Sequence, residues 1–150
     1  MRFRVSSTDC TAGKRRQRRR PASCSGSDEL PRRGIDFELR LIGDIKDQNL
    51  EQEMTDEIRR KDLSDRVTLT GWIPLERAQE EIAAADVGLC LLHPIPNYLN
   101  SLAMKILEYM RFGVPVVASD FPCWREYVTD VGSGIQVDPF SIPAIADAIE

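Results

Sequence analysis

Val87-Gly88-Leu89-Cys90-Leu91-Leu92 is an apolar run with no alternating polar residue. A strand with one wet face alternates apolar with polar, whereas one that is apolar throughout has both faces covered. The run therefore predicts a strand at the centre of a parallel sheet. Before it, Pro74 opens a helix in which Leu75, Ala78, Ile82 and Ala85 form a one-sided apolar stripe. After it, Pro94-Ile95-Pro96-Asn97-Tyr98 predicts a loop, because prolines two apart suit neither a helix interior nor a central strand.

The alternation extends in both directions. Upstream, residues 37–42 read as a strand, and 49–62 as a helix with Leu50, Met54 and Ile58 four apart. Residues 67–70 form a further strand closed by Gly71. Downstream come a helix over about 102–112, stopped by Gly113, and a strand over 114–119. A short helix around 124–128 and a short strand at 135–137 follow. Ser141 caps a last helix over 142–149, with Pro143 in its first turn. Strand and helix in turn predict an α/β fold: a Rossmann-like parallel sheet of about five strands with helices on both faces.

Charge divides the chain in two. Residues 1–34 hold ten Lys/Arg against three Asp/Glu, and the remainder ten against twenty-one, which together give the net −4. Residues 1–33, with the run Lys14-Arg15-Arg16-Gln17-Arg18-Arg19-Arg20, lack periodicity and read as a disordered basic tail. The domain proper is expected over 34–150, incomplete at both ends. Without interleaved aromatics for base stacking, the tail predicts no nucleic-acid partner. No run of eighteen apolar residues is present, which excludes a membrane-spanning helix of that kind, and no apolar stretch follows Met1 to Val5 to predict a secretory leader. Cys10, Cys24, Cys90 and Cys123 form no C-x-x-C pair, and with His93 as the single histidine no metal site is expected. A reducing, cytoplasmic setting is the simplest reading.

Open α/β sheets bind ligands beyond the carboxyl ends of their strands. That singles out Gly43-Asp44, Gly71-Trp72, the loop from His93 to Ser101, and Ser119-Asp120. In the stretch Asn97 to Met110, a loop delivers the chain into a helix whose start, Ser101-Leu102-Ala103-Met104, is small or neutral. Backbone N–H groups and the helix dipole there suit an anionic phosphate. Seven residues on, Glu108 would share a helix face with Ser101, roughly 10 Å away. A carboxylate at that point can accept hydrogen bonds from both hydroxyls of a ribose attached to the diphosphate. The competing role for Glu108 is an ion pair with Lys105, worth about a few tenths of a kcal/mol. Lys105 either adds charge for a phosphate or reaches solvent. Trp72 either borders a nucleobase or covers a neighbouring helix. His93 suits packing or hydrogen bonding better than catalysis, Asp120 and Arg125 carry less signal, and no catalytic residue is identified.

Read together, Leu41-Ile42-Gly43-Asp44, Val67-Thr68-Leu69-Thr70-Gly71-Trp72-Ile73, Ala84-Ala85-Asp86-Val87-Gly88-Leu89 and Lys105-Ile106-Leu107-Glu108-Tyr109-Met110 through Gly113 to Ser119 resemble, in that order, retaining GT-B glycosyltransferases of group 1 (family 4). The resemblance covers about residues 35–150. It implies the C-terminal half of a GT-B fold, binding a nucleotide-diphosphate sugar as donor substrate, with no cofactor. Glu108 matches the second glutamate of the family's E-x7-E motif, the ribose ligand, while Asn100 stands where the first would be. The resemblance puts Ser101, Leu102, Ala103 and Met104 by the diphosphate or sugar, and Trp72 and Ile73 by the base; Lys105 and the strand-end Gly43, where glycine permits close backbone approach, complete the expected donor-binding set.

The resemblance further implies sugar transfer to an acceptor glycan or lipid-linked sugar in polysaccharide or glycoconjugate synthesis, in the cytoplasm and peripherally at the inner membrane face. The family's acceptor domain has no room here, so the chain reads as a fragment, inactive alone, with that domain supplied elsewhere. A sugar-nucleotide epimerase-like domain and a non-catalytic nucleotide-binding module are the alternatives.

Overall fold

The computed structural model describes residues 3–7 and 29–150. Its strands are β1 (Phe3–Ser7), β2 (Phe37–Leu41), β3 (Val67–Leu69), β4 (Val87–Cys90), β5 (Val116–Ser119) and β6 (Gly134–Val137). They form one six-stranded sheet in the order β3-β2-β1-β4-β5-β6, with every neighbouring pair parallel. The helices are α1 (Glu29–Arg32), α2 (Gln48–Arg60), α3 (Leu75–Ala83), α4 (Pro96–Leu99), α5 (Met104–Arg111), α6 (Arg125–Val128) and α7 (Ile142–Ile149), with a 3-10 turn at Pro122–Trp124.

The strands supply two cores by alternation. Leu89, Leu91 and Val117 join Phe37, Leu39 and Leu41 in a core with Leu50 and Met54 of α2 and Ile145 and Ile149 of α7. Cys90, Val116 and Ala118 turn the other way, onto Ile82 of α3, Ile106 and Tyr109 of α5, and Trp124. Both faces of β4 are therefore covered, as its apolar run predicts. Ser141 caps α7 as expected, its hydroxyl accepting from the Ala144 N–H at 3.4 Å, while Asp47 caps α2 through the N–H groups of Asn49 and Leu50.

Four expectations need correction. The sheet has six strands, because Phe3–Ser7, expected within the disordered tail, pairs with both β2 and β4 at the sheet centre. Val5 is buried there, and the Asp86 carboxylate accepts from the Arg4 backbone N–H at 2.7 Å. Residues 29–33 are ordered too: Leu30 joins the core, and Arg33 pairs with Glu29, Asp147 and Glu150. The hydrogen bond it donates to Asp147 raises the Arg33 guanidinium above its ordinary pKa. The basic run 14–20 lies outside the described residues. Third, Pro96 opens the short helix α4 within the expected loop, since proline fits the first helical position, where no intrahelical N–H bond is needed. Fourth, Leu75 is 65 % exposed, because it opens α3 ahead of the turns that pack on the sheet.

Candidate donor-binding edge

The strand order reverses between β1 and β4, and a crevice opens at such a reversal beyond the carboxyl ends of the strands. The connection from β4 into α5 leaves from that edge. It runs through Leu92, His93, the short helix α4, and Asn100 to Ala103. Helix α5 starts at Met104, with Ala103 as its N-cap and no side-chain capping bond. Its first N–H groups are of the kind that binds anions.

Ser101, expected at the helix start, lies two residues before the N-cap. Its hydroxyl donates to the Asn97 carbonyl at 2.6 Å, and the Asn100 amide Nδ2 donates to the Pro96 carbonyl at 3.2 Å. Both side chains thus satisfy carbonyls of α4, the local competition by which Asn and Ser end helices. Ser101 and Glu108 do not share a helix face. Glu108 stands exposed in the second turn of α5. Leu102 and Ala103 pack against the second core, Lys105 is half-buried, and Met104 is 66 % exposed.

Across the reversal, Gly43 and Gly71 tie the ends of β2 and β3 through an isolated antiparallel bridge, Gly43 N–H donating to the Gly71 carbonyl at 3.3 Å. Gly71 has φ 63°, in the left-handed region that glycine enters without penalty. Trp72 follows, 76 % exposed, with Ile73 half-buried beside it. β3 stands three strands from β4, about 14 Å at ordinary spacing. The end of β3 and the connection into α5 thus leave from opposite sides of the reversal. The His93 ring packs on Phe140, with centroids 5.0 Å apart.

Sequence reading missed the residues that hold the connection in place. The Ser119 hydroxyl, fully buried at the end of β5, accepts from the Leu92 N–H at 2.7 Å and donates to the Leu92 carbonyl at 2.8 Å. The buried Trp124 indole Nε1 donates to the Ser101 carbonyl at 2.7 Å, and Cys123 Sγ to the Leu99 carbonyl at 3.1 Å. No local pattern signals bonds between residues 23 to 27 apart in sequence.

A parallel sheet in 3-2-1-4-5-6 order with an uncapped helix at its reversal defines the doubly wound α/β class. The profile of the family described as "Glycosyl transferases group 1" matches residues 27–150, and the chain belongs to that family. Alpha-D-kanosaminyltransferase of Streptomyces kanamyceticus is 33 % identical over 122 residues, covering 81 % of this chain and 30 % of the relative. The crystal structure of Anabaena HepE in complex with UDP and glucose superposes with a TM-score of 0.75 at 22 % identity, over 98 % of this chain and 37 % of that one. The C-terminal domain of a group 1 glycosyl transferase family protein (LpcC) from Francisella tularensis matches with a TM-score of 0.69 at 18 % identity, over 97 % of this chain and 71 % of that domain. The chain thus spans about a third of the length of the kanosaminyltransferase and of HepE, and its fold is that of a GT-B C-terminal domain. Neither an epimerase nor a non-catalytic module gains support from these relatives.

Proposed function

We propose that this domain holds the nucleotide-diphosphate part of a sugar donor across the β1/β4 reversal, for glycosyl transfer to an acceptor. The diphosphate lies at the α5 N-terminus, where the N–H groups of the first turn and the helix dipole stabilise its charge. As the glycosidic bond breaks, the same groups stabilise the negative charge that develops on the leaving diphosphate. Glu108 accepts from the ribose hydroxyls, and the base lies toward Trp72, Ile73 and Gly43. Leu102, Ala103, Met104 and Lys105 line the path of the diphosphate. Ser101 and Asn100 act through the backbone they shape, since their side chains cap α4.

One observation carries the reading: the uncapped terminus of α5 follows the strand at the reversal, with an exposed carboxylate one turn further along. Membership of the family supports it, as does the UDP seen in the HepE structure. Retention at the anomeric carbon, an acceptor glycan or lipid-linked sugar, a role in polysaccharide or glycoconjugate synthesis, and an acceptor domain supplied outside the chain belong to the same proposal. So does a cytoplasmic site at the inner membrane face. No helix among the described residues is long and apolar enough to cross a membrane, so attachment there would be peripheral, and cell fractionation checks it.

Titration of the 150-residue chain with UDP, GDP and ADP by calorimetry tests the donor site. One of the three is expected to bind, with Glu108→Gln weakening it about tenfold or more, as expected for losing charge-assisted hydrogen bonds. Equal affinity in the wild type and the variant would remove Glu108 from the site.

A further inference from the structure

We propose that Trp124 is a positioning residue for the donor diphosphate: it holds the β4–α5 connection, and through it the α5 terminus, in the geometry that receives phosphate. The proposal rests on the donor reading above and adds a residue with no place in it. Trp124 belongs to the 3-10 turn after β5, is fully buried, and packs on Phe121 with ring centroids 4.7 Å apart. Its Nε1–H reaches the Ser101 carbonyl at 2.7 Å, two residues before the N-cap of α5.

The connection is long; Leu92, Tyr98, Leu102 and Ala103 pack its inner side on the second core, and its backbone is placed by hydrogen bonds. It contains a helix of four residues, and one that short has little stability of its own. Its own side chains, Asn100 and Ser101, bond only within it. Anchors from outside therefore fix its place. Ser119 clamps the proximal end at Leu92, Cys123 contributes a weak thiol bond to Leu99, and Trp124 clamps the distal end at Ser101. The Trp124 bond lies closest to the α5 terminus and is made by a rigid, buried donor. Removing it frees the turn that aims the first N–H groups of α5, while the α5 body stays packed through Ile106 and Tyr109.

The deciding substitution is Trp124→Phe, which keeps an aromatic ring against Phe121 and removes only the N–H and part of the ring. Two measurements are made on the full chain. Amide hydrogen exchange without ligand should rise at residues 99–105 and stay near wild type in β4 and β5. Calorimetry with the nucleoside diphosphate that binds best, and with its parent nucleoside, should show the diphosphate weakened about tenfold and the nucleoside unchanged. A general packing defect would weaken both alike.

Wild-type binding of a diphosphate with unchanged affinity in Trp124→Phe overturns the positioning role alone. So does equal weakening of diphosphate and nucleoside. Absence of any wild-type nucleotide binding removes the donor reading, and the positioning role with it, even where exchange shows the connection loosened. If Trp124→Phe does not fold, benzothienylalanine in place of Trp124 keeps the bicyclic ring and its packing and removes the N–H alone: the diphosphate-to-nucleoside affinity ratio should again fall about tenfold, and an unchanged ratio overturns the positioning role.

Discussion

The Tyr109 ring fills the space that Gly88 leaves on the face of β4: a methyl group on Gly88 would lie 2.4 Å from the Tyr109 ring carbon Cδ1. This contact sets how closely α5 approaches the sheet, and so where Glu108 and the α5 terminus stand. Tyr109 is fully buried. Gly88→Ala is expected to destabilise the domain by about 1–3 kcal/mol through overpacking. Thermal or urea unfolding measures this. Combining it with Tyr109→Ala should cost less than the two single penalties added, because the smaller side chain removes the clash. Additive penalties would show that Gly88 is not limited by Tyr109.

Ser119 replaces a ladder bond with a side chain. β4 and β5 pair in register as far as Cys90 and Ala118, and one step beyond, the Ser119 hydroxyl serves both the N–H and the carbonyl of Leu92. Ser119→Ala leaves those backbone groups without their partner, at a cost of about 1–3 kcal/mol. Hydrogen exchange at Leu92 should accelerate in the variant beyond what the global loss of stability explains. An unchanged rate at Leu92 would contradict the clamp.

Much of this fold is legible in the chain. The apolar run at Val87, the Leu50/Met54 stripe and the Ser141 cap each report a local preference that tertiary packing then uses. β1 is the exception. Phe3-Arg4-Val5-Ser6-Ser7 alternates for only five residues before a strongly basic stretch, too short a signal to separate from a tail. Only its pairing with β2 and β4 shows it to be central. The site divides in the same way. The α5 terminus and Glu108 follow from a loop, a helix and a charge in an apolar segment. The clamps by Ser119 and Trp124 exist only once the strands are side by side, and with α4 capped by Asn100 and Ser101 the next helix starts at Met104 rather than at about 102.

On the side of β2 facing α3, the sequence places charge where an apolar residue would extend the core. Arg40 bridges Glu38 and Glu81, each at 2.8 Å. The hydrogen bond it donates to Glu38 is the main reason its guanidinium is raised above its ordinary pKa; burial opposes that shift and Glu81 adds to it. A cation whose pKa is raised on folding contributes its full stabilisation below its unfolded value, which for an arginine lies far above neutrality, and loses it only as pH climbs past the raised one. Arg40→Met should therefore cost about 0.5–1 kcal/mol, as for a partly exposed pair, and the same amount at pH 6 and pH 9. A penalty that vanished by pH 9 would contradict this.

Trp72 separates binding from folding more cleanly than any other candidate. A tryptophan 76 % exposed has little apolar area buried by the fold, so Trp72→Ala should change unfolding stability by no more than about 0.5 kcal/mol. The backbone that presents it is fixed independently: the bridge to Gly43 holds Gly71, and the Thr70 hydroxyl donates to the Gly71 carbonyl at 2.9 Å. The substitution therefore leaves the edge of the sheet in place. If a nucleobase lies against the indole, binding of the preferred nucleotide should weaken by about 1–3 kcal/mol, the range for aromatic stacking on a base. The loss should be equal for the nucleoside and the diphosphate, the opposite signature to that expected of Trp124→Phe. Calorimetry on the same pair of ligands reads both. Unchanged affinity for both ligands in Trp72→Ala would move the base away from β3 and toward the β2 end at Gly43.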